Sequence, residues 1–390
     1  MRSLLTRLWR IGARLPAPLR HRINAFPGMW RLRRAAANRP AGPTPAPGAP
    51  RPVVYLPTWA QWGVMQQRPQ YLVGAFAKAG HDTWFVDPRE PRERVVDGVR
   101  IVPSLASVPG EHVILYVHFA PLRELFDHFT DPAIVYDIFD DLSIFEPDEG
   151  HLPPGLRVAA HHGAVVERAD LVIASHPLLV ERHHHEAPDI LLVENGVEVG
   201  RFTTPSERPA DFPTGPGPVV GYHGMHSYWF DFDLLADLAR LRPSWTFALV
   251  GPVDPRAESA SEAVADLPNV HLLGERPSDV IASYVQAFDV GIIPWRIDRM
   301  VEAVSPLKMY EFFAAGVPVV SVPIPAAVEH PVVRTANTAV GFAEQIEVAL
   351  AGRATAAAAM AQAAEEADWS HRVEAILGAL DRKGLRRVPS

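Results

Sequence analysis

At 390 residues the chain is longer than one ordinary doubly wound domain, and with 48% hydrophobic and 21% charged residues it has the apolar content to build two cores. It has no cysteine, which excludes disulfides, thiolate nucleophiles and cysteine-ligated zinc. The net charge of −8 is unevenly spread: residues 1–50 hold ten arginines and no Lys, Asp or Glu, so that segment is +10 and the rest is −18. An acidic body of this kind speaks against a nucleic-acid partner, which needs a basic face on the folded part.

In the N-terminal extension, 1–50, Leu4, Leu5, Leu8, Trp9, Ile11 and Leu15 alternate with Arg2, Arg7, Arg10 and Arg14. That pattern suits either a short amphipathic helix on an anionic membrane surface or a disordered basic extension. Arginines interrupt the apolar stretch, so it does not read as a secretory signal, and no apolar run reaches bilayer-spanning length. These features are consistent with a cytoplasmic protein that is peripheral on the inner face of the plasma membrane. Between Pro40 and Pro52 the sequence is mostly Pro, Ala and Gly, a composition that favours extended, unpacked backbone.

From there β-rich runs alternate with helical patterns. Val53 to Leu56 reads as a strand and Pro69 to Ala79 as a helix with Pro in its first turn and Gly80 beyond its end. Thr83 to Val86, His112 to Val117, Ala133 to Tyr136 and Leu171 to Ala174 read as further buried strands. After an aperiodic stretch, Thr204 to Pro218, the alternation restarts with strands at Val219 to Tyr222, Thr246 to Val250, Val270 to Leu273, Val290 to Ile293 and Pro318 to Val322. Helices are expected at Phe232 to Arg240, Ser278 to Ala287 and Pro306 to Ala315. An alanine-rich helix at 353–366 and a final helix from Trp369 to about Leu380, striped by Trp369, Val373, Ile376 and Leu380, close the chain. The fold class is α/β, with two doubly wound Rossmann-like domains facing across a cleft. The expected division is 1–50 extension, 51–203 N-terminal Rossmann-like domain, 204–217 linker, 218–365 C-terminal Rossmann-like domain and 366–390 C-terminal helix.

The segment richest in chemistry is Ala303 to Val320, AVSPLKMYEFFAAGVPVV. With Ser305 as N-cap and Pro306 in the first turn, the helix would turn unpaired N–H groups and its positive dipole end toward a phosphate. Lys308 and Glu311 are three residues apart and share a face. The lysine could neutralise a diphosphate and the glutamate accept hydrogen bonds from a ribose diol. The plain alternative is a surface ion pair worth about 0.2–0.5 kcal/mol.

This segment resembles the donor-binding signature of retaining GT-B glycosyltransferases of family four: a carboxylate, seven residues, Glu, then a small-residue run ending in Gly-x-Pro-Val-Val. Glu311 and AAGVPVV match its second half. Ala303 stands where the first carboxylate is expected, and Glu302 is one residue out of register. WAQWGVMQQRPQYLVGAF (59–76), ADLVIASHPLLVER, VENGVEVGRF, VVGYHGMHSYWFDFDLL, LPNVHLLG and AFDVGIIPWR resemble the same family in order, in the manner of a subgroup of cell-surface polysaccharide synthesis such as teichuronic acid. The resemblance implies a hexosyltransferase that moves a sugar from a nucleotide diphosphate donor to a polysaccharide, glycolipid or lipid-linked acceptor, with retention.

His118 ends a strand where the family places a histidine facing the acceptor and the transferring sugar. Asp137, Asp140 and Asp141, in YDIFDD, could take the acceptor's proton or bind its hydroxyls. Arg296 could reach the phosphates beside Lys308, and Gly221 and Gly224 could let backbone amides approach them. Trp62, Gln66 and Arg68 are candidates for acceptor contacts; holding their own loop is the plainer role for Trp62 and Gln66, but not for Arg68, which is next to a helix start. No metal or other cofactor is expected to be required, because a GT-B enzyme meets leaving-group charge with helix ends and cations. His183, His184 and His185, and likewise His161 and His162, are expected not to ligate an ion, since adjacent helical residues point apart. A GT-B epimerase or hydrolase, and an idle membrane-tethered scaffold, are the alternatives.

Overall fold

The computed structural model describes residues 39–58, 60–141 and 158–389; the arginine-rich segment 1–38, with its membrane reading, lies outside them. Two sheets dominate. The first takes β1 (Val53–Tyr55), β2 (Thr83–Val86), β3 (Arg94–Val96), β4 (Val99–Val102), β5 (Ile114–Val117), β6 (Ala133–Ile138), β7 (Leu171–Ala174) and β8 (Leu191–Leu192), in the order β3-β4-β2-β1-β5-β6-β7-β8. The second takes β9 (Val219–His223), β10 (Thr246–Val250), β11 (Val270–Gly274), β12 (Val290–Ile293), β13 (Val319–Ser321) and β14 (Val333–Thr335), in the order β11-β10-β9-β12-β13-β14. Every pairing is parallel except β3 with β4. The fully buried strands, rich in Val, Ile, Leu and aromatics, suit sheets covered on both faces.

Strand order reverses between β1 and β5 in the first sheet and between β9 and β12 in the second. Such switch points open a crevice at the carboxyl ends of the strands. Those ends carry Leu56, Thr58 and His118 on one side, and His223, Gly224 and Trp295 on the other.

Several helices set the site. These are α1 (Arg68–Lys78), α2 (Val158–Val166), α3 (Pro177–His183), α4 (Val199–Thr203), α5 (Phe232–Leu241), α6 (Arg299–Glu302), α7 (Leu307–Ala314) and α8 (Trp369–Arg382). α1 is started by Gln70, which accepts from the Gln67 N–H at 3.1 Å, and by Pro69 in its first turn. It buries Leu72, Val73, Ala75 and Phe76 against the first sheet. α8 comes from beyond the second sheet and returns to this same core. Its Trp369, Val373, Ile376 and Leu380 pack with Val53, Tyr55 and Phe76, each such burial stabilising by about 1.5–3 kcal/mol. The chain thus crosses between domains twice. The crossings are laced by Val197 N–H to the Ala367 carbonyl at 3.0 Å and Trp369 N–H to the Val197 carbonyl at 3.1 Å. A side chain at Gly196 would come within 2.3 Å of the Ala367 carbonyl, so only glycine fits there.

The Pro/Ala/Gly segment differs from its expected unpacked state. From residue 39 onward it lies against the first domain, with Gly42 N–H on the Val108 carbonyl at 2.8 Å, Gly48 N–H on Val388 at 3.0 Å and Arg51 N–H on Arg386 at 3.0 Å. Proline-rich backbone loses little entropy when fixed, so a few such bonds suffice to seat it.

Candidate active site

A cleft of about 360 Å³ separates the two domains. The second domain contributes His223, Gly224, Trp295, Ser305, Lys308 and Glu311 to its wall. The first contributes Gln66, Tyr71, Phe139, Asp140 and Asn195, and α4 adds Arg201.

α7 is the organising element. Its N-cap is Pro306 in an extended conformation, with no side chain capping the helix, so the first-turn amides are left to other partners. Ser305 is therefore not the cap. Its buried hydroxyl faces the Tyr310 hydroxyl at 3.4 Å, and its carbonyl accepts from Asn195 Nδ2 at 2.6 Å. One residue of helix start separates expectation from structure, because Pro306 takes the β-region torsions a cap requires. Lys308, in the first turn, lays its ammonium over Trp295 at 4.5 Å and Tyr222 at 5.0 Å from the ring centroids. No ion-pair partner is found for it among the described residues, and burial, partly offset by Glu311, lowers its pKa to about 8. An ammonium held by two π-faces in a cleft and lacking a counter-anion is a ready partner for an anion.

Glu311 lies one turn deeper. Its carboxylate accepts from the Tyr71 hydroxyl of the opposite domain at 2.7 Å, and its other oxygen stands 3.2 Å from His223 Nε2. Those last atoms lack hydrogen-bond alignment, and His223 Nε2 is buried without a partner among the described residues. Burial raises the Glu311 pKa, against the lowering pull of Tyr71, Arg201 and Lys308. Burial also keeps the His223 imidazole neutral, far below its ordinary pKa, with Lys308 adding to the effect. His223 and Arg201 escaped the sequence reading. The histidine in GYHG ends the switch strand β9, which was a usable signal, whereas nothing local marks Arg201.

Gly224 has φ +113°, and a side chain there would crowd the Lys308 Cε at 3.3 Å. Its amide is already bonded to the Val250 carbonyl at 2.9 Å, so it supplies room for the lysine rather than an N–H for a ligand. Gly221 serves packing: a Cβ would lie 2.1 Å from the Phe288 ring. Arg296 turns away from Lys308 and pairs with Asp233 at 2.8 Å and Asp231 at 3.6 Å near the start of α5. Asp231 and Asp233, placed at the start of α5 where the helix dipole favours acids, hold the guanidinium there.

On the first-domain wall Asp140 lines the cleft, and burial together with Asp137 and Asp141 raises its pKa to about 7. Asp141 does something else. It is buried and bridges Arg182 of α3 and, at 2.9 Å, Arg299 of α6, tying the two domains. Asp137 takes Arg68 in a two-point pair at 2.8 and 3.1 Å plus the Tyr116 hydroxyl at 2.8 Å. Arg68 then reaches Asn195 Oδ1 at 3.2 Å, and Asn195 grips the Ser305 carbonyl. Arg68 is thus a buried strut leading to the start of α7, not an acceptor contact. His118 stands behind the wall: its ring packs edge-on against Phe139 at 4.9 Å, and its nitrogens face Thr58 Oγ1 at 3.0 Å and the Tyr55 hydroxyl at 3.4 Å. Burial lowers its pKa to about 4, so it is neutral at physiological pH.

Ala303, at the place of the missing carboxylate, is fully buried in the core of the first domain beside Val54, Leu115 and Tyr136, while Glu302 faces solvent. Neither residue brings a carboxylate to the cleft; Asp140, on the opposite wall, does.

Residues 217–364 match the family model described as glycosyl transferases group 1. Over 234 residues the chain is 29% identical to TuaH of Bacillus subtilis, assigned as a glycosyltransferase of teichuronic acid biosynthesis; the match covers 57% of this chain and 58% of that protein's length. Among solved structures, the sucrose-phosphate synthase of Thermosynechococcus elongatus superposes with a TM-score of 0.64 at 16% identity, over 85% of this chain and 98% of that one. HepE of Anabaena, solved with UDP and glucose, superposes at 0.61 and 18%, over 85% and 99%. At these identities the superpositions establish the fold, which is GT-B.

Proposed function

We propose that this protein is a glycosyltransferase that moves a sugar from a nucleoside diphosphate donor to a cell-envelope polysaccharide, glycolipid or lipid-linked acceptor, with retention of configuration. The observation that carries the reading is Lys308. It is a cleft-facing ammonium without a counter-ion among the described residues, at an uncapped helix start and one turn from a buried carboxylate. The solved complexes of HepE with UDP and glucose support a nucleotide-sugar donor, and the likeness to TuaH supports an envelope polysaccharide.

In this reading the α7 amino end and Lys308 take the leaving diphosphate, whose charge develops as the glycosidic bond breaks. Glu311 accepts from the ribose diol once Tyr71 yields one of its oxygens. Asp140 takes the proton of the acceptor hydroxyl, its raised pKa matching that task near neutrality. Arg68, Asn195 and Asp141 fix the walls, and His118 backs Phe139. The leaving-group charge is met by the lysine and helix end, so this transfer asks for no metal ion. An association of the arginine-rich extension with anionic lipid on the inner face of the plasma membrane would bring the cleft to a lipid-linked acceptor.

The test is nucleotide release from a panel of nucleoside diphosphate sugars, with and without lipid-linked acceptors. Release is expected from at least one donor, dependent on acceptor, and reduced about 100-fold or more in Lys308→Ala. Acceptor-independent release would point to a hydrolase or epimerase, and no release from any donor to a scaffold.

A further inference from the structure

His161, His162, His183, His184 and His185 take no part in this chemistry, and two of them meet. His162 lies on α2, His183 ends α3, and Glu186 follows in the next turn. Glu186 Oε2 is 2.9 Å from His162 Nε2 and 3.0 Å from His183 Nδ1, and the three donor atoms all lie within 4.8 Å of one another. The two imidazole rings are 4.7 Å apart. On its far side His162 Nδ1 meets the buried Tyr136 hydroxyl at 3.0 Å. We propose that His162, His183 and Glu186 form a binding site for a divalent transition metal, zinc being the ion that best suits two imidazoles and a carboxylate.

The donor set is of borderline softness, which favours zinc over magnesium or calcium, and three protein ligands leave a fourth position for water. Bonds of about 2.0–2.1 Å at tetrahedral angles set donor atoms about 3.3 Å apart. The two carboxylate–imidazole separations therefore need to open by only a few tenths of an ångström, and the two imidazole donors already lie within 4.8 Å of each other. Glu186 can supply that movement, because its side chain is half exposed while His162 is packed in. Ligation needs a neutral imidazole and an ionised carboxylate. With Nε2 on the ion, His162 Nδ1 keeps its proton and donates to the Tyr136 oxygen, an outer partner that fixes ring and tautomer.

None of the three residues lines the cleft, so the ion stands apart from the transfer. It would join α2 to α3, and α3 carries the Arg182 that holds Asp141 and, through it, Arg299 of the other domain. The site would stiffen the acceptor-side wall.

The experiment uses untagged full-length protein, stripped with chelator and dialysed against Zn²⁺ or Co²⁺ alone. One equivalent of metal by elemental analysis, visible Co²⁺ absorption of a low-coordinate site and a higher melting temperature are expected. His183→Gln, at a partly buried position, and Glu186→Gln, at an exposed one, are each expected to weaken binding about 10-fold or more, whereas the double control His184→Gln/His185→Gln keeps it. Absence of stoichiometric metal, binding indifferent to His183→Gln and Glu186→Gln, or binding lost in the control would each overturn the proposal and leave a hydrogen-bonded triad.

Discussion

Lys308 concentrates the chemistry of the cleft. Its pKa of about 8 means that a bound diphosphate, by favouring the charged form, draws a proton onto it. Affinity for a nucleoside diphosphate is therefore expected to rise as pH falls from about 9 to 7. Calorimetric titrations at pH 8.5 in buffers of different ionisation enthalpy should record net proton uptake, abolished in Lys308→Ala; uptake unchanged in that variant would count against the assignment. Asp140 has the opposite sign. Its folded pKa of about 7 lies above the unfolded value of about 3.9, so its neutral form is favoured in the fold. Stability is full at low pH and is lost as pH rises through 7. Asp140→Asn should accordingly melt higher than the parent at pH 8, show no such gain at pH 4, and lose transfer activity. Melting curves at the two pH values check this. The pair Lys308 and Glu311 was legible because both lie within one helical turn, where spacing alone fixes a shared face. The partners of Arg296, Asp141, Arg68 and His118 are not legible in the sequence, because they lie tens to more than a hundred residues away and sequence spacing carries no information on such contacts.

At the scale of the element, the long alternation of buried strands and amphipathic helices was readable because each segment keeps one period over several residues. The hairpin of β3 and β4 was not read, although its turn is an Asp-Gly pair with both residues at positive φ, Asp97 at 49° and Gly98 at 82°. Its strands are too short and too charged, RVV and VRIV, to stand out as buried runs. The connection at α6 explains the departure from the family signature. The chain there turns Ala303 into the apolar core of the opposite domain, and a carboxylate at that place would be buried without a partner. Ala303→Glu is thus expected to lower stability by several kcal/mol and to leave donor turnover no higher, as thermal melting and nucleotide release would show. A gain of activity in that variant would mean that the residue can swing into the cleft.

For the molecule as a whole, two sheets present their switch points to one another, and specific polar contacts cross between the domains, among them Tyr71 to Glu311, Asn195 to the Ser305 carbonyl, and Asp141 to Arg299. The double crossing at Val197 and Trp369 gives these domains a shared pivot. Under the proposed function Tyr71 holds the carboxylate that the ribose would claim, which would couple donor binding to domain opening through one hydrogen bond. The most direct test of the account is isothermal titration of the wild-type protein with a set of nucleoside diphosphates, repeated for Lys308→Ala and Glu311→Gln. At least one nucleotide is expected to bind, with Kd raised about 10-fold or more in each variant. A set of nucleotides that all fail to bind, or that bind all three proteins equally, would contradict it.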